Sequence, residues 1–195
     1  MMKFYRPTFA EIDLGAIRHN LRRIKQLIGR DTKILGIVKA DAYGHGMEEI
    51  SKTIIEEGVD YLGVASLDEA RQLSDVRVRD QIIVLGSILP EEAEGVLRFN
   101  VIQTISCMRI AQVLSKLGQA KKRNIKVHIK IDTGMGRIGF WHEEAVGFVR
   151  KIASLKSLII DWIFTHFPSA EDDERFTQKQ IRDFVYLYSE FLTLL

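Results

Sequence analysis

The sequence predicts an α/β fold, an incomplete (β/α)8 TIM-type barrel of about six βα units. Three observations point there. Strand-like and helix-like segments alternate along all 195 residues, with no low-complexity tract and no Pro- or Gly-rich linker between them. That rhythm makes a parallel sheet under helical cover. The Gly-rich turn of a dinucleotide site is absent after the first strand, which weighs against an open doubly wound sheet. A complete barrel takes about 250 residues, so residues 1–195 are read as one partial barrel domain.

The elements follow in order. A helix spans about Asp13 to Ile28, capped by Asp13, with Leu14, Ile17, Leu21, Ile24 and Ile28 on one face. Thr32 to Lys39 is short and rich in β-branched residues, a buried strand. A second helix covers about Met47 to Glu57 and stops at Gly58. Asp60 to Ala65 is the next strand, and Ser66-Leu67-Asp68-Glu69 is a capping box that starts a third helix. Gln81 to Gly86 is a strand, and Pro90 opens a short helix ending near Arg98. Val101–Thr104, Ile125–Asp132 and Leu158–Thr165 complete the strands. Ser106–Lys122, Glu143–Ala153 and a segment from about Glu174 onward complete the helices. The tail, Phe184 through Leu195, is apolar and uncapped, so the sequence reads as a barrel cut short.

Composition narrows the function. A hydrophobic share of 46% excludes intrinsic disorder. Lys and Arg number 28 against 26 Asp and Glu, a formal charge of +2 that predicts no nucleic-acid partner. The one basic run, Lys121-Lys122-Arg123, closes a helix, where cations complement the dipole. Cys107 has no partner for an internal disulfide, as expected in a reducing cytoplasm. No apolar run nears the roughly 20 residues of a membrane span, and Met1–Arg6 lacks a signal-peptide core. The histidines show no ligand spacing with Cys or carboxylates, so no metal site is expected.

Lys39 is the most informative residue. It closes an apolar strand at the C-terminal end, where parallel α/β folds place their active sites, and alternation puts it on the face of Leu35 and Ile37. Burial would depress its pKa and leave a neutral amine able to attack carbonyls, a Schiff-base lysine; the alternative is a lysine snorkelling out of the strand end. Arg137 sits in a Gly-rich loop, with a planar fork suited to a carboxylate or a phenolic oxygen. His128, Lys130 and Asp132 share one strand face opposite Val127, Ile129 and Ile131, so three polar groups need partners. His166 ends the last predicted strand, again at the C-terminal edge, while His45 between Gly44 and Gly46 reads as structural.

Longer motifs surround these residues. Val38-Lys39-Ala40-Asp41-Ala42-Tyr43-Gly44-His45-Gly46 closely resembles the cofactor-lysine motif of alanine racemases, pyridoxal-phosphate enzymes built on a barrel. Lys130-Ile131-Asp132-Thr133-Gly134-Met135-Gly136-Arg137-Ile138-Gly139-Phe140 is similar to that family's substrate-arginine loop, and Ile163-Phe164-Thr165-His166-Phe167 to its cofactor-stacking segment. The resemblance implies an enzyme interconverting L- and D-alanine by a two-base mechanism, with pyridoxal 5'-phosphate as cofactor. It implies that Lys39 carries the cofactor and acts as one base, that Tyr43 binds the phosphate, and that Arg137 binds cofactor oxygen and substrate carboxylate. It further implies that His166 stacks on the ring and that Lys130 is a candidate for carbamylation, the alternative being a plain ion pair to Asp132. The resemblance also implies a homodimer, whose partner subunit supplies a tyrosine as second base from a C-terminal β domain.

The sequence departs from the family at Trp162, where Gly is usual, and at Pro168, where Ala is usual. Two other readings stand beside the racemase: a pyridoxal-phosphate-binding homeostasis barrel without racemase activity, and a silent partner of longer subunits. For the 195-residue piece alone, weak or no racemisation is expected, because efficient inversion needs the second base.

Overall fold

A computed structural model of the chain describes residues 8–74 and 82–192. Met1–Arg6, Gln81, Leu194 and Leu195, which figure in the expectations above, lie outside the described residues. The chain divides into two units, Met1–Gly63 and Val64–Leu195.

The first unit runs through α1 (Leu14–Ile28), β1 (Leu35–Ile37), α2 (Lys39–Gly44) and α3 (Met47–Glu56) into β2 (Tyr61–Val64). Asp13 caps α1 as expected, its Oδ1 accepting from the Ala16 amide at 3.1 Å. The apolar stripe of α1 is less covered than its spacing suggests: only Leu21 is buried, while Ile24, Leu27 and Ile28 are exposed. Charge ties this helix to the C-terminal end of α3. Arg22 forks onto the Glu57 carboxylate at 2.6 and 2.7 Å, and Arg18 reaches Glu56 at 2.7 Å. Lys25 donates to the Glu57 and Gly58 carbonyls, a cation set against the negative end of the α3 dipole. β1 and β2 pair in parallel, Leu35 opposite Tyr61 and Ile37 opposite Gly63.

The first strand is shorter than the expected Thr32–Lys39 and only half-buried. Val38 leaves extended geometry at φ −119° and ψ 12°, so the alternation that would have carried Lys39 onto the face of Ile37 breaks there. Lys39 instead opens the next element.

The second unit runs α4 (Leu67–Leu73), β3 (Ile82–Val84), a 3-10 turn (Pro90–Glu92), α5 (Ala93–Arg98) and β4 (Ile102–Ile105). It continues with α6 (Met108–Lys121), β5 (Ile125–Asp132), β6 (Phe140–Trp141), α7 (Ala145–Ala153), β7 (Leu158–Phe164) and α8 (Glu174–Leu192). Pairing is parallel throughout: β3 with β4, β4 with β5, and β5 with both β6 and β7. The capping box closes one residue early. Ser66 Oγ accepts from the Glu69 amide at 3.3 Å, but the Glu69 carboxylate takes the Ala65 amide at 2.6 Å. Ser106 does not start α6, because its hydroxyl pairs with that of Ser87 at 2.6 Å and the helix begins two residues later.

β5 is the centre of this unit. Every residue on it except Lys126 is buried, Val127, Ile129 and Ile131 completely. β7 runs beside it with a bulge: Val127 pairs with Ile160 and His128 with Trp162, leaving Asp161 as the extra residue. The two-residue strand β6 is a feature the sequence pattern did not predict; it sits against the end of β5, where the chain turns back after Arg137.

Candidate active site

In the first unit the site is built on α2, which is not an ordinary helix. Ala40, Asp41, Ala42 and Tyr43 all have φ between 51° and 56°, four successive left-handed residues with no glycine among them. Each such residue costs about 1–2 kcal/mol relative to right-handed geometry, so the surrounding structure must hold the turn. It does so from three sides. Asp41 Oδ1 accepts from the Met47 amide at 2.7 Å, and the Gly46 amide returns to the Asp41 carbonyl at 3.0 Å. Ala42 is buried, and His45 Nδ1 donates to its carbonyl at 2.9 Å, the structural role its position suggested. The result delivers two chemically useful groups side by side. Lys39 Nζ lies 5.9 Å from the centroid of the Tyr43 ring, and Tyr43 itself is 61% exposed.

The second unit places the other candidates around the end of β5. Asp132 collects backbone amides: its Oδ1 accepts from Gly134 at 2.9 Å and Gly136 at 3.1 Å, and its Oδ2 from Gly136 at 2.9 Å. Burial works to raise its carboxyl, but these amides, followed by Lys130 and the Arg137 amide, hold it below the ordinary range. The carboxylate thereby fixes the loop that carries Arg137, an exposed residue. Lys130 is only 2% exposed, and among the described residues its Nζ makes no hydrogen bond. The plain ion pair to Asp132 is therefore not what forms; the nearest neighbour of note is the Phe164 ring, 5.1 Å from Nζ. Burial pushes this amine down to about 8, with Asp132 opposing and Arg137 adding to the fall.

One step down the same strand face, His128 bonds Asp161 at 3.3 Å across the bulge, and its ring lies 6.3 Å from Trp162 and 6.4 Å from Phe164. Burial lowers the imidazole pKa while Asp161 resists. Trp162, the large residue where the resemblance expects glycine, thus packs beside His128. His166 is not at the strand end: β7 stops at Phe164, and His166 lies in the exposed segment beyond.

Its carbonyl is held by Gln180 Nε2 at 3.2 Å, and Gln180 also reaches Thr133 Oγ1 at 3.0 Å. Thr133 and Thr165 meet hydroxyl to hydroxyl at 2.7 Å. So Lys39 meets Tyr43 in one unit, and Lys130, Asp132, the Arg137 loop and the His166 segment are brought together in the other. Gln180, Thr133 and Thr165 escaped the sequence reading. A signal existed for the first: Gln180, Leu187 and Phe191 fall on one buried stripe of α8, where a glutamine is out of place.

Within the first unit an amine stands beside a phenol, groups suited to a carbonyl and to an anion, and within the second a buried amine without a hydrogen-bond partner among the described residues lies near the end of β5. The chain matches the family description "Alanine racemase, N-terminal domain" over residues 12–193. It is 43% identical over 178 residues to an alanine racemase of Halothermothrix orenii, covering 90% of this chain and 46% of that protein. Among solved structures it superposes on alanine racemase of Clostridium difficile 630 with a TM-score of 0.92 and 34% identity, over 98% of this chain and 54% of that one. A histidine racemase of Leuconostoc mesenteroides is similar at a TM-score of 0.79 and 29% identity, over 88% of this chain and 46% of that one. The chain spans about half the length of the relatives it matches. With the parallel alternation of strands and helices, the likeness makes the fold an incomplete (β/α)8 barrel.

Proposed function

This chain belongs to the family of alanine racemase N-terminal domains, and on that premise we propose that residues 1–195 form the partial barrel of a pyridoxal-phosphate-dependent racemase interconverting L- and D-alanine. The observation that carries the reading is the left-handed turn that sets the Lys39 amine beside the Tyr43 ring at 5.9 Å. Four costly residues in a row are kept for positioning a lysine and a phenol that packing alone does not need.

Pyridoxal phosphate, when bound, supplies the electron sink that makes the substrate Cα–H acidic. The chain's own residues do the rest. Lys39 would hold the cofactor at its aldehyde end through its amine and would take or return the proton on one face of Cα. Tyr43 would offer its hydroxyl to the phosphate. Arg137 would hold the substrate carboxylate and the cofactor's phenolic oxygen with its planar fork, and His166 would help to hold the pyridine ring. Lys130, neutral more readily than an exposed lysine, is suited to add carbon dioxide; the resulting carbamate is an anion that would orient Arg137. The opposite face of Cα requires a second base. We assign it to a tyrosine of a C-terminal β domain on the partner subunit of a homodimer. Among the described residues no helix is long and apolar enough to cross a membrane. The lone Cys107 fits a cytoplasmic setting, which we propose.

The test is peptide mass analysis of the full-length protein after addition of pyridoxal phosphate and borohydride reduction, with Lys39→Ala as control. One stoichiometric adduct on Lys39, absent from the variant, is expected. Scattered labelling, or none, would overturn the assignment. Parallel assays with alanine and histidine address substrate choice, since a histidine racemase shares the fold.

A further inference from the structure

Gln180 belongs to none of the motifs that carry the proposed chemistry, yet it is fully buried on α8. Its amide nitrogen has two hydrogens, and both are used. One goes to Thr133 Oγ1 at 3.0 Å and the other to the His166 carbonyl at 3.2 Å. Thr133 opens the loop that ends in Arg137. Thr165, the residue before His166, closes the circuit through its 2.7 Å contact with the Thr133 hydroxyl. The same loop meets α8 one turn earlier, where a Cβ on Gly134 would come 2.7 Å from Phe176 Cζ. Two segments 32 residues apart in sequence are thus joined twice, directly by their threonines and through one side chain of a third.

The choice of residue is informative. The stripe it shares with Leu187 and Phe191 is otherwise apolar, and an apolar side chain there would bury no unpaired oxygen of its own. Gln180 instead buries an Oε1 that finds no hydrogen-bond partner among the described residues, a cost to stability. We infer that Gln180 is a positioning residue, a strut that fixes the Arg137 loop against the His166 segment. This rests on the proposed function, in which those two segments address the substrate carboxylate and the cofactor ring. A misplacement of about 1 Å between such groups can lower a rate about 100-fold.

Two variants separate positioning from mere packing. Gln180→Met keeps the shape and removes both donors. Gln180→Glu is isosteric but, when ionised, has no hydrogen to give. The Thr133 hydroxyl can turn and donate to it, whereas the His166 carbonyl can only accept. The bond from position 180 to the His166 carbonyl is then cut while its bond to the loop survives. Protonation of the carboxyl at lower pH restores one donor.

The experiment uses the full-length protein as wild type, Gln180→Met and Gln180→Glu. Amide hydrogen exchange read by mass spectrometry is expected to quicken about 10-fold in Gln180→Met, in peptides covering residues 132–138 and 164–168 and not elsewhere. With L-alanine, kcat/KM is expected to fall about 10- to 100-fold in both variants. In Gln180→Glu the loss should shrink as pH falls, a recovery that Gln180→Met cannot show. Exchange that rises evenly over β5 and α8, or local loosening with unchanged kcat/KM, would overturn the strut. A wild-type protein that neither takes up pyridoxal phosphate nor racemises alanine would overturn the proposed function instead; the exchange pattern alone would then decide whether Gln180 couples the two segments.

Discussion

Lys130 and Phe164 are register partners on adjacent parallel strands, and the lysine amine faces the aromatic ring at 5.1 Å with no hydrogen-bonding oxygen in reach among the described residues. A buried cation in that setting is held at a cost, and the cost has a pH signature. The folded amine titrates near 8, the free one at 10.5. Below pH 8 both states are charged and the whole penalty is present, on the order of 3 kcal/mol. Between 8 and 10.5 the unfolded chain binds more protons, so stability rises with pH, and above that window the penalty is gone. Lys130→Met should therefore melt higher than wild type at pH 7 in carbon-dioxide-free buffer, and lose that advantage by about pH 11. Added bicarbonate should narrow the gap at pH 8 by stabilising wild type alone. A pH-independent gap would refute this account.

His128 gives a second pH dependence of the same sign in a lower window. Its pKa is lowered by burial, so the unfolded chain takes the proton first as pH falls below 6.5. Wild type should lose stability on that side, and His128→Phe should flatten the slope. Asp161→Asn should steepen it, because the carboxylate that favours the imidazolium is removed. Urea midpoints between pH 5 and 7.5 give the answer.

Asp132 holds the arginine loop by its amides. Asp132→Ala removes the acceptor of the Gly134 and Gly136 N–H groups at a partly buried site where water can take its place in part, a loss of about 0.5–1.5 kcal/mol per hydrogen bond. Denaturation midpoints should register the loss. Affinity for amino-acid substrate should fall with it, since Arg137 loses its anchor.

The left-handed turn responds to side-chain branching. Ala40 sits at φ 52°, so Ala40→Gly should be neutral or stabilising within about 1 kcal/mol, while Ala40→Val should destabilise by at least that much. Equal midpoints for the two variants in urea would remove the strain.

The 195-residue chain expressed alone should show weak or no racemisation, because the second face of Cα has no base among its proposed residues. Turnover near that of a full-length relative, measured by polarimetry, would overturn the two-base assignment.

Much of this was legible from residue order. β5 runs over Ile125–Asp132 as its alternation requires, because one face is apolar at every second position and both faces are enclosed. The helices from Met47 and Glu174 begin where expected. What could not be read was handedness and register. Nothing in Ala40-Asp41-Ala42-Tyr43 announces four positive φ angles, since alanine is a helix former of the opposite hand. The strand leading to Lys39 is shorter than its pattern suggests, since periodicity cannot see a turn closed by bonds from Met47 and Gly46 to Asp41. Thr133, Thr165 and Gln180 are commonplace residues whose meaning comes only from meeting one another.

The bulge in β7 carries a consequence for how this strand can change length. Without Asp161 the pairing would run on regularly, Ile160 opposite Val127 and Trp162 opposite His128, with Phe164 still facing Lys130. The sheet has no need of the extra residue; the imidazole does, for the carboxylate at 3.3 Å. Strand length and the identity of position 128 are therefore coupled. A relative that dropped the inserted residue would be free to replace the histidine by an apolar side chain, and one that kept the histidine would be held to the longer strand. Aligned descendants should show the two changes together, in either order, far more often than apart.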